Sequence, residues 1–181
     1  MIDLREPRLP DCLEVDGELF DIKTDFRVWI KFGAMLADER MAWFGIFKGG
    51  IPSSADWVRV AVEFYADRNE TPSDSSSSRS DARAVDFISD GEYIVAAFQQ
   101  AYGIDLTDPS TTMHWHRFMA LFRGLPEDTM MSKIMGYRTW RKSSKKHDDA
   151  MRDLKRAWAL PDKGAEADKD RVLKLFNERY G

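Results

Sequence analysis

The sequence predicts a mainly α-helical fold, a compact multi-helix domain with a small N-terminal β-hairpin. Three observations carry this. Segment after segment places apolar residues three and four apart, the spacing of one helix face. Capping residues and glycines fall where those segments begin and end. Apolar–polar alternation is confined to residues 12–22, on either side of Asp16-Gly17.

In that first stretch Asp16-Gly17 is a type I′ turn pair, since both central positions need positive φ and these residue types tolerate it. A lone hairpin is marginal in water, so it must dock on something. Thr24 is the expected N-cap of a helix from Asp25 to about Glu39, carrying Phe26, Trp29, Ile30, Gly33, Met35, Leu36 and Ala37. The apolar run 41–47 is either a second short helix or a continuation of the first, and it ends at Gly49-Gly50-Ile51-Pro52. Ser53 or Ser54 can cap the next helix, with Trp57, Val60, Ala61, Phe64 and Tyr65 on one face, to about Arg68.

Residues 69–82 hold almost nothing to bury and cannot offset their ordering entropy, which predicts a disordered loop. Ser89 or Asp90 then caps a helix bearing Tyr93, Ile94, Ala97, Phe98 and Ala101, and Gly103 sits where a left-handed C-cap favours glycine. Asp108-Pro109 opens another helix, with Met113, Trp115, Phe118, Met119, Leu121 and Phe122, which Gly124 stops. A short helix over 129–135 runs into Gly136-Tyr137-Arg138-Thr139-Trp140. A charged helix over 144–159 turns Met151, Leu154, Ala157 and Trp158 to one side, and a last amphipathic helix is expected near 165–180. The domain reading is one helical domain over 1–162 and a helical extension over 163–181.

Composition narrows the function. The 27 basic and 31 acidic side chains leave a net charge of −4, so no general attraction to nucleic acid or to a membrane surface follows. With no apolar run of about 18 residues and no N-terminal apolar region, neither a membrane span nor a signal peptide is expected. The single cysteine, Cys12, cannot form an intramolecular disulfide, and a reduced, cytoplasmic protein is the expectation. No phosphate-binding glycine loop, dinucleotide fingerprint or His-Glu-x-x-His is present. His114 and His116 stand two apart, about 200° around a helix, and are read as surface histidines beside a buried Trp115 rather than as metal ligands. No catalytic residue, metal or cofactor is expected, and the protein is not read as an enzyme.

Two features point towards partners. There are 22 aromatic side chains (11 Phe, 6 Trp, 5 Tyr) and 9 Met. Phe26, Trp29, Trp57, Phe64, Phe98, Phe118 and Phe122 lie at core spacing, whereas Met130, Met131, Tyr137 and Trp140 fall outside any clean stripe, beside Arg138, Arg141 and Lys142. Those last seven residues are the candidate partner interface, because aromatics, Met and Arg are the side chains enriched at interfaces. Charge is also uneven. Residues 1–25 hold eight acids against three bases, net −5, and residues 138–156 hold eight bases against three acids, net +5. Such ends can meet within the chain or between copies, which allows self-association. Nucleic-acid binding by the basic run, with Tyr137 and Trp140 stacking on bases, is a third reading that the acidic whole disfavours.

Several segments, in order, resemble one family: Val15-Asp16-Gly17 with Thr24-Asp25-Phe26-Arg27-Val28-Trp29; Asp90-Gly91-Glu92-Tyr93-Ile94-Val95-Ala96-Ala97-Phe98; and Tyr102-Gly103-Ile104-Asp105-Leu106. Further on come His114-Trp115, Phe118, Ala120-Leu121-Phe122, Gly124-Leu125, Lys133-Ile134-Met135-Gly136-Tyr137-Arg138 and Ala159-Leu160-Pro161-Asp162. This order is similar to the gene-product-fifteen family of tailed bacteriophages and of prophages in Gram-positive bacteria, named after a tail-module protein. Ser73–Ser80 stands as an insertion, 163–180 as an extension, and His116 replaces an expected aromatic. The resemblance implies a place near the tape-measure protein in the tail module. There, tail assembly chaperones coat that long helical protein until the tube forms around it. The partners implied are the tape measure or other tail proteins, met in the host cytoplasm. The alternative is a structural virion component, such as a tail-completion or head–tail connector protein.

Overall fold

The computed structural model describes residues 8–37, 44–54, 56–66, 84–141 and 148–160. The expected loop at 69–82, the last helix at 165–180 and Lys142 lie outside these residues. Within them the fold is mainly α, with a two-stranded hairpin at the N-terminal side.

Strands β1 (Cys12–Val15) and β2 (Glu18–Asp21) pair antiparallel, with Val15 opposite Glu18 and Cys12 opposite Asp21. Asp16 and Gly17 have φ of 52° and 81°, the two positive values that a type I′ turn requires. Leu13 and Val15 turn inwards and are buried. The chain leaving the hairpin is also tied down. Ile22 bridges Phe47, Lys23 N–H donates to the Ile46 carbonyl (2.7 Å) and Lys48 N–H donates to that of Asp21 (3.0 Å). The described part of the apolar run 41–47 forms a single 3-10 turn, Phe44–Ile46.

Helix α1 (Phe26–Ala37) is capped by Asp25 and not by Thr24: Asp25 Oδ1 accepts the Arg27 N–H at 3.0 Å. The cause is tertiary. The Thr24 carbonyl accepts the Trp115 N–H (2.7 Å) and Phe26 N–H donates to Met113 O (2.9 Å), so this stretch pairs with a distant one before the helix can begin. Helix α2 (Trp57–Ala66) begins after Asp56, whose own N–H is held by the Ser54 hydroxyl at 3.2 Å. Helix α3 (Gly91–Tyr102) ends at Gly103, φ 66° and ψ 19°, the predicted left-handed cap.

Helix α4 (Trp115–Arg123) starts later than the sequence suggests, because Asp108-Pro109 forms a turn instead. The Asp108 carboxylate is engaged locally, accepting the Ser110 N–H and hydroxyl at 2.8 Å each. Residues beyond it run alongside Thr24–Phe26, and the Arg27 guanidinium donates to the carbonyls of Leu106 (3.0 Å), Asp108 (2.9 Å) and Thr111 (2.7 Å). His114 takes the N-cap of α4 through Nδ1, which accepts the His116 N–H at 3.1 Å. In the neutral ring the proton therefore sits on Nε2, which donates to Pro10 O at 2.9 Å. His116 is not on the surface as expected. It is 3 % exposed, lies on Phe64 with ring centroids 4.3 Å apart, and donates from Nε2 to the Phe64 carbonyl (3.1 Å). In the first turn of α4 this position faces α2 rather than solvent.

Helices α5 (Met130–Thr139) and α6 (Asp148–Ala157) complete the described chain, α5 continuing through Gly136 rather than ending before it. All seven predicted core aromatics are buried. Within the core Phe26 and Phe98 each stack on Phe118 (4.8 and 5.1 Å), and Trp29 packs on Phe64 (4.3 Å). Both fully buried tryptophans donate their indole N–H to carbonyls, Trp29 to Lys23 (2.8 Å) and Trp115 to Tyr65 (3.0 Å).

Tyr65 lies flat on Trp115, with centroids 5.1 Å apart and an interplanar angle of 9°. Burial first, then the charge of Asp86, pushes its hydroxyl above the usual tyrosine range. The same ring covers Gly33 of α1, and a methyl group added there would run into the Tyr65 hydroxyl and ring. An ordinary Gly→Ala change inside a helix gains up to about 1 kcal/mol. Gly33→Ala is instead expected to lose about 1–3 kcal/mol, the usual cost of overpacking, because the ring can retreat only by giving up its stack on Trp115. A chemical-denaturation curve checks this, and an unchanged or raised midpoint would sink the argument.

Candidate partner-binding surface

The candidate surface lies on α5, whose orientation is set at both ends. At its start Thr129 is the N-cap, its Oγ1 accepting the Ser132 N–H at 3.3 Å and donating to Pro126 O at 2.8 Å. At its end Arg138 is 6 % exposed, and Asp90, at the N-terminus of α3, is 2 % exposed. They form a two-pronged ion pair, Nη1 to Oδ2 at 2.6 Å and Nη2 to Oδ1 at 2.8 Å. Arg138 also donates from Nη1 to Ala84 O (3.1 Å) and from Nε to Trp158 O (2.7 Å). Asp90 Oδ2 accepts the Asp86 N–H at 2.8 Å as well, and Asp86 Oδ1 accepts those of Ile88 and Ser89 at 3.0 Å each. Thus Asp90 holds the N-cap position of α3 without capping it through its side chain.

This pair divides the seven interface candidates. Met131, Ile134 and Arg138, spaced along one helix face, point inwards. Met131 is fully buried core, and the Arg138 charge is matched inside the fold, so neither offers a surface here. Met130 (38 % exposed) and half-buried Tyr137 lie on another stripe with exposed Lys133 between them. Half-buried Trp140 follows the helix and its carbonyl accepts a hydrogen bond from Lys155 Nζ at 2.8 Å; Arg141 is exposed. The described surface is therefore Met130, Lys133, Tyr137, Trp140 and Arg141. Lys133 is absent from the seven candidates, although the helical spacing from Met130 to Lys133 to Tyr137 is enough to find it.

Helix α6 seats against α5, and the residue after it reaches α3. The Trp158 ring meets Tyr93 edge-on, with centroids 5.5 Å apart. On the outer side of α6 Arg152 pairs with Asp149 at 3.1 Å in solvent, an arrangement worth little. Among the described residues, no group of three or more His, Cys, Asp or Glu side chains is placed to hold a metal ion. Also among them, no helix is long and apolar enough to cross a membrane.

The family model of the bacteriophage Gp15 protein matches residues 53–160. The chain belongs to this bacteriophage family. The matched span contains the whole Asp90–Arg138 arrangement, from Ala84 to Trp158, together with the candidate surface. The hairpin and α1 precede it, although Asp16-Gly17 and Thr24–Trp29 are among the segments that carry the resemblance. No curated protein and no solved structure matches the chain.

Removing one partner of a buried ion pair leaves the other charge uncompensated, at a cost of about 3–5 kcal/mol. Arg138→Met is expected to destabilise this Gp15-family chain by that amount. The double change Asp90→Leu, Arg138→Met should recover only part of it, because the carbonyls of Ala84 and Trp158 would still lack their donor. Denaturation curves of both variants check this; a loss below about 1 kcal/mol for the single change would refute the assignment.

Proposed function

We propose that this Gp15-family protein is a non-enzymatic tail assembly factor, acting in the host cytoplasm as a chaperone for the tape-measure protein. Membership in the bacteriophage Gp15 family, which the resemblance above associates with the tail module, is the observation that carries the reading. The surface chemistry supports it. A chaperone for a long helical partner needs apolar side chains outside its own core, with cations to fix register. Met130, Tyr137 and Trp140, with Lys133 and Arg141 between and beyond them, supply that combination along α5 and its end. The reading requires neither metal nor cofactor.

Co-expression with the tape-measure protein of the same genome should yield a soluble complex that survives pull-down. Replacing Tyr137 and Trp140 together by Ala should weaken it at least about tenfold, the effect of losing about 1.4 kcal/mol at an interface, while the melting temperature changes little. Mass spectrometry of purified particles separates the alternative. A chaperone is depleted from mature particles, whereas a tail-completion or connector protein is present in fixed copy number. Two soluble proteins that do not associate would count decisively against the chaperone.

A further inference from the structure

The charge of the N-terminal hairpin is left unmatched. Residues 11–23 hold five acids against Lys23, net −4, and Asp11, Glu14, Asp16, Glu18 and Asp21 are all exposed. Among the described residues none of these five carboxylates has an ion-pair partner. Asp25, Asp56, Glu63 and Asp90, by contrast, each pair with an arginine. The opposite charge lies between α5 and α6. Arg141-Lys142-Ser143-Ser144-Lys145-Lys146-His147 carries four bases, no acid and no apolar side chain, net +4 with the histidine neutral. The surplus of the basic stretch is concentrated there, since Asp90 matches Arg138 and Asp149 matches Arg152. The hairpin packs on α2, whereas α5 packs on α3 and α6. The acidic end is therefore not neutralised by the basic end of its own chain.

We propose that the acidic hairpin is the docking surface for the 141–147 segment of a second copy, so that copies join head to tail. Complementary charge selects this occupant, −4 on one patch against +4 on the other. Two hairpins face to face would set acid against acid. A contact between unlike patches also leaves one of each free on every pair, so copies can go on adding. The hairpin offers shape as well as charge. Beyond the bond from Lys48 N–H to Asp21 O the chain bends away, and a cleft of about 410 Å³ opens between Glu18–Asp21 and residues 48–50. Leu19 lines it and is 66 % exposed. An incoming lysine can lay its aliphatic stem on Leu19 and place its ammonium beside Glu18 or Asp21. Lys48, on the facing wall, cancels only part of the acidic excess. The surface concerns copies of this chain alone, and so goes beyond the chaperone reading without depending on it.

Sedimentation velocity on the purified full chain is the test. At about 0.05 M salt the chain should form species larger than the monomer, in a share that grows with concentration. Salt at about 0.5 M should return it to the monomer, because screening then shortens the reach of exposed charges to a few ångströms. Two double variants locate the contact. Glu14→Lys with Glu18→Lys cancels the acidic end, and Lys142→Glu with Lys145→Glu cancels the basic one. Each should weaken self-association at least about tenfold. Circular dichroism should show both folded, Glu14 and Glu18 being exposed. Mixed together, the two variants hold one intact acidic end and one intact basic end between them. They should form a one-to-one pair that does not grow. A chain that stays monomeric at about 0.05 M salt, a variant that associates as the unaltered chain does, or a mixture that yields no pair overturns the proposal.

Discussion

The buried contact between Asp90 and Arg138 is the constraint on which the rest of the matched region depends. Burying two charges is costly, and attraction alone does not guarantee a gain. Here further hydrogen bonds support the pair, with the Asp86 N–H donating to Asp90 and Arg138 donating to the carbonyls of Ala84 and Trp158. One guanidinium therefore fixes the chain entering α3, the last turn of α5 and the end of α6. The placement also suits the helix dipoles. The carboxylate sits at the positive end of α3, and the guanidinium sits at the negative ends of α5 and α6.

A second arginine has a comparable role where the N-terminal elements join that region. Arg27 of α1 gathers three carbonyls of the turn between α3 and α4, and Asp25 beside it caps α1. The backbone exchange between Thr24–Phe26 and Met113–Trp115 then places Phe26 on Phe118. So the hairpin and α1, which precede the family match, are joined to it by main-chain bonds and stacked rings. The two arginines solve one problem: loops that cannot form a ladder still need partners for their carbonyls.

What is legible in the sequence is what local chemistry decides. Asp16-Gly17 announces its turn because two consecutive positive φ values exclude most residue types, and Gly103 announces the end of α3 for the same reason. The core aromatics follow from helical spacing. Illegible are the positions decided by contacts distant in sequence. Nothing near Thr24 says that its carbonyl is taken by Trp115, and so the cap shifts to Asp25. Nothing near Asp108 says that the following residues will run beside Thr24, which delays α4 and leaves His116 in its first turn, against Phe64. At the candidate surface the difference has one source. Sequence alone groups Arg138 with the solvated bases of its stretch, because its partner lies 48 residues away.

That correction changes how the basic stretch is understood. Once Arg138 is matched by Asp90 and Lys155 holds the Trp140 carbonyl, two of its cations are structural, and the outward stripe of α5 is only modestly charged. Met130, Tyr137 and Trp140 follow one another along α5 and its end, with Lys133 and Arg141 beside them. The same arginine that ties α3 to α5 keeps its Nε directed at a helix terminus. Its two roles use different nitrogens, Nη1 and Nη2 for Asp90 and Nε for Trp158. The pair with Asp90 joins α3 to α5 directly, and Nε adds the end of α6 to the same group.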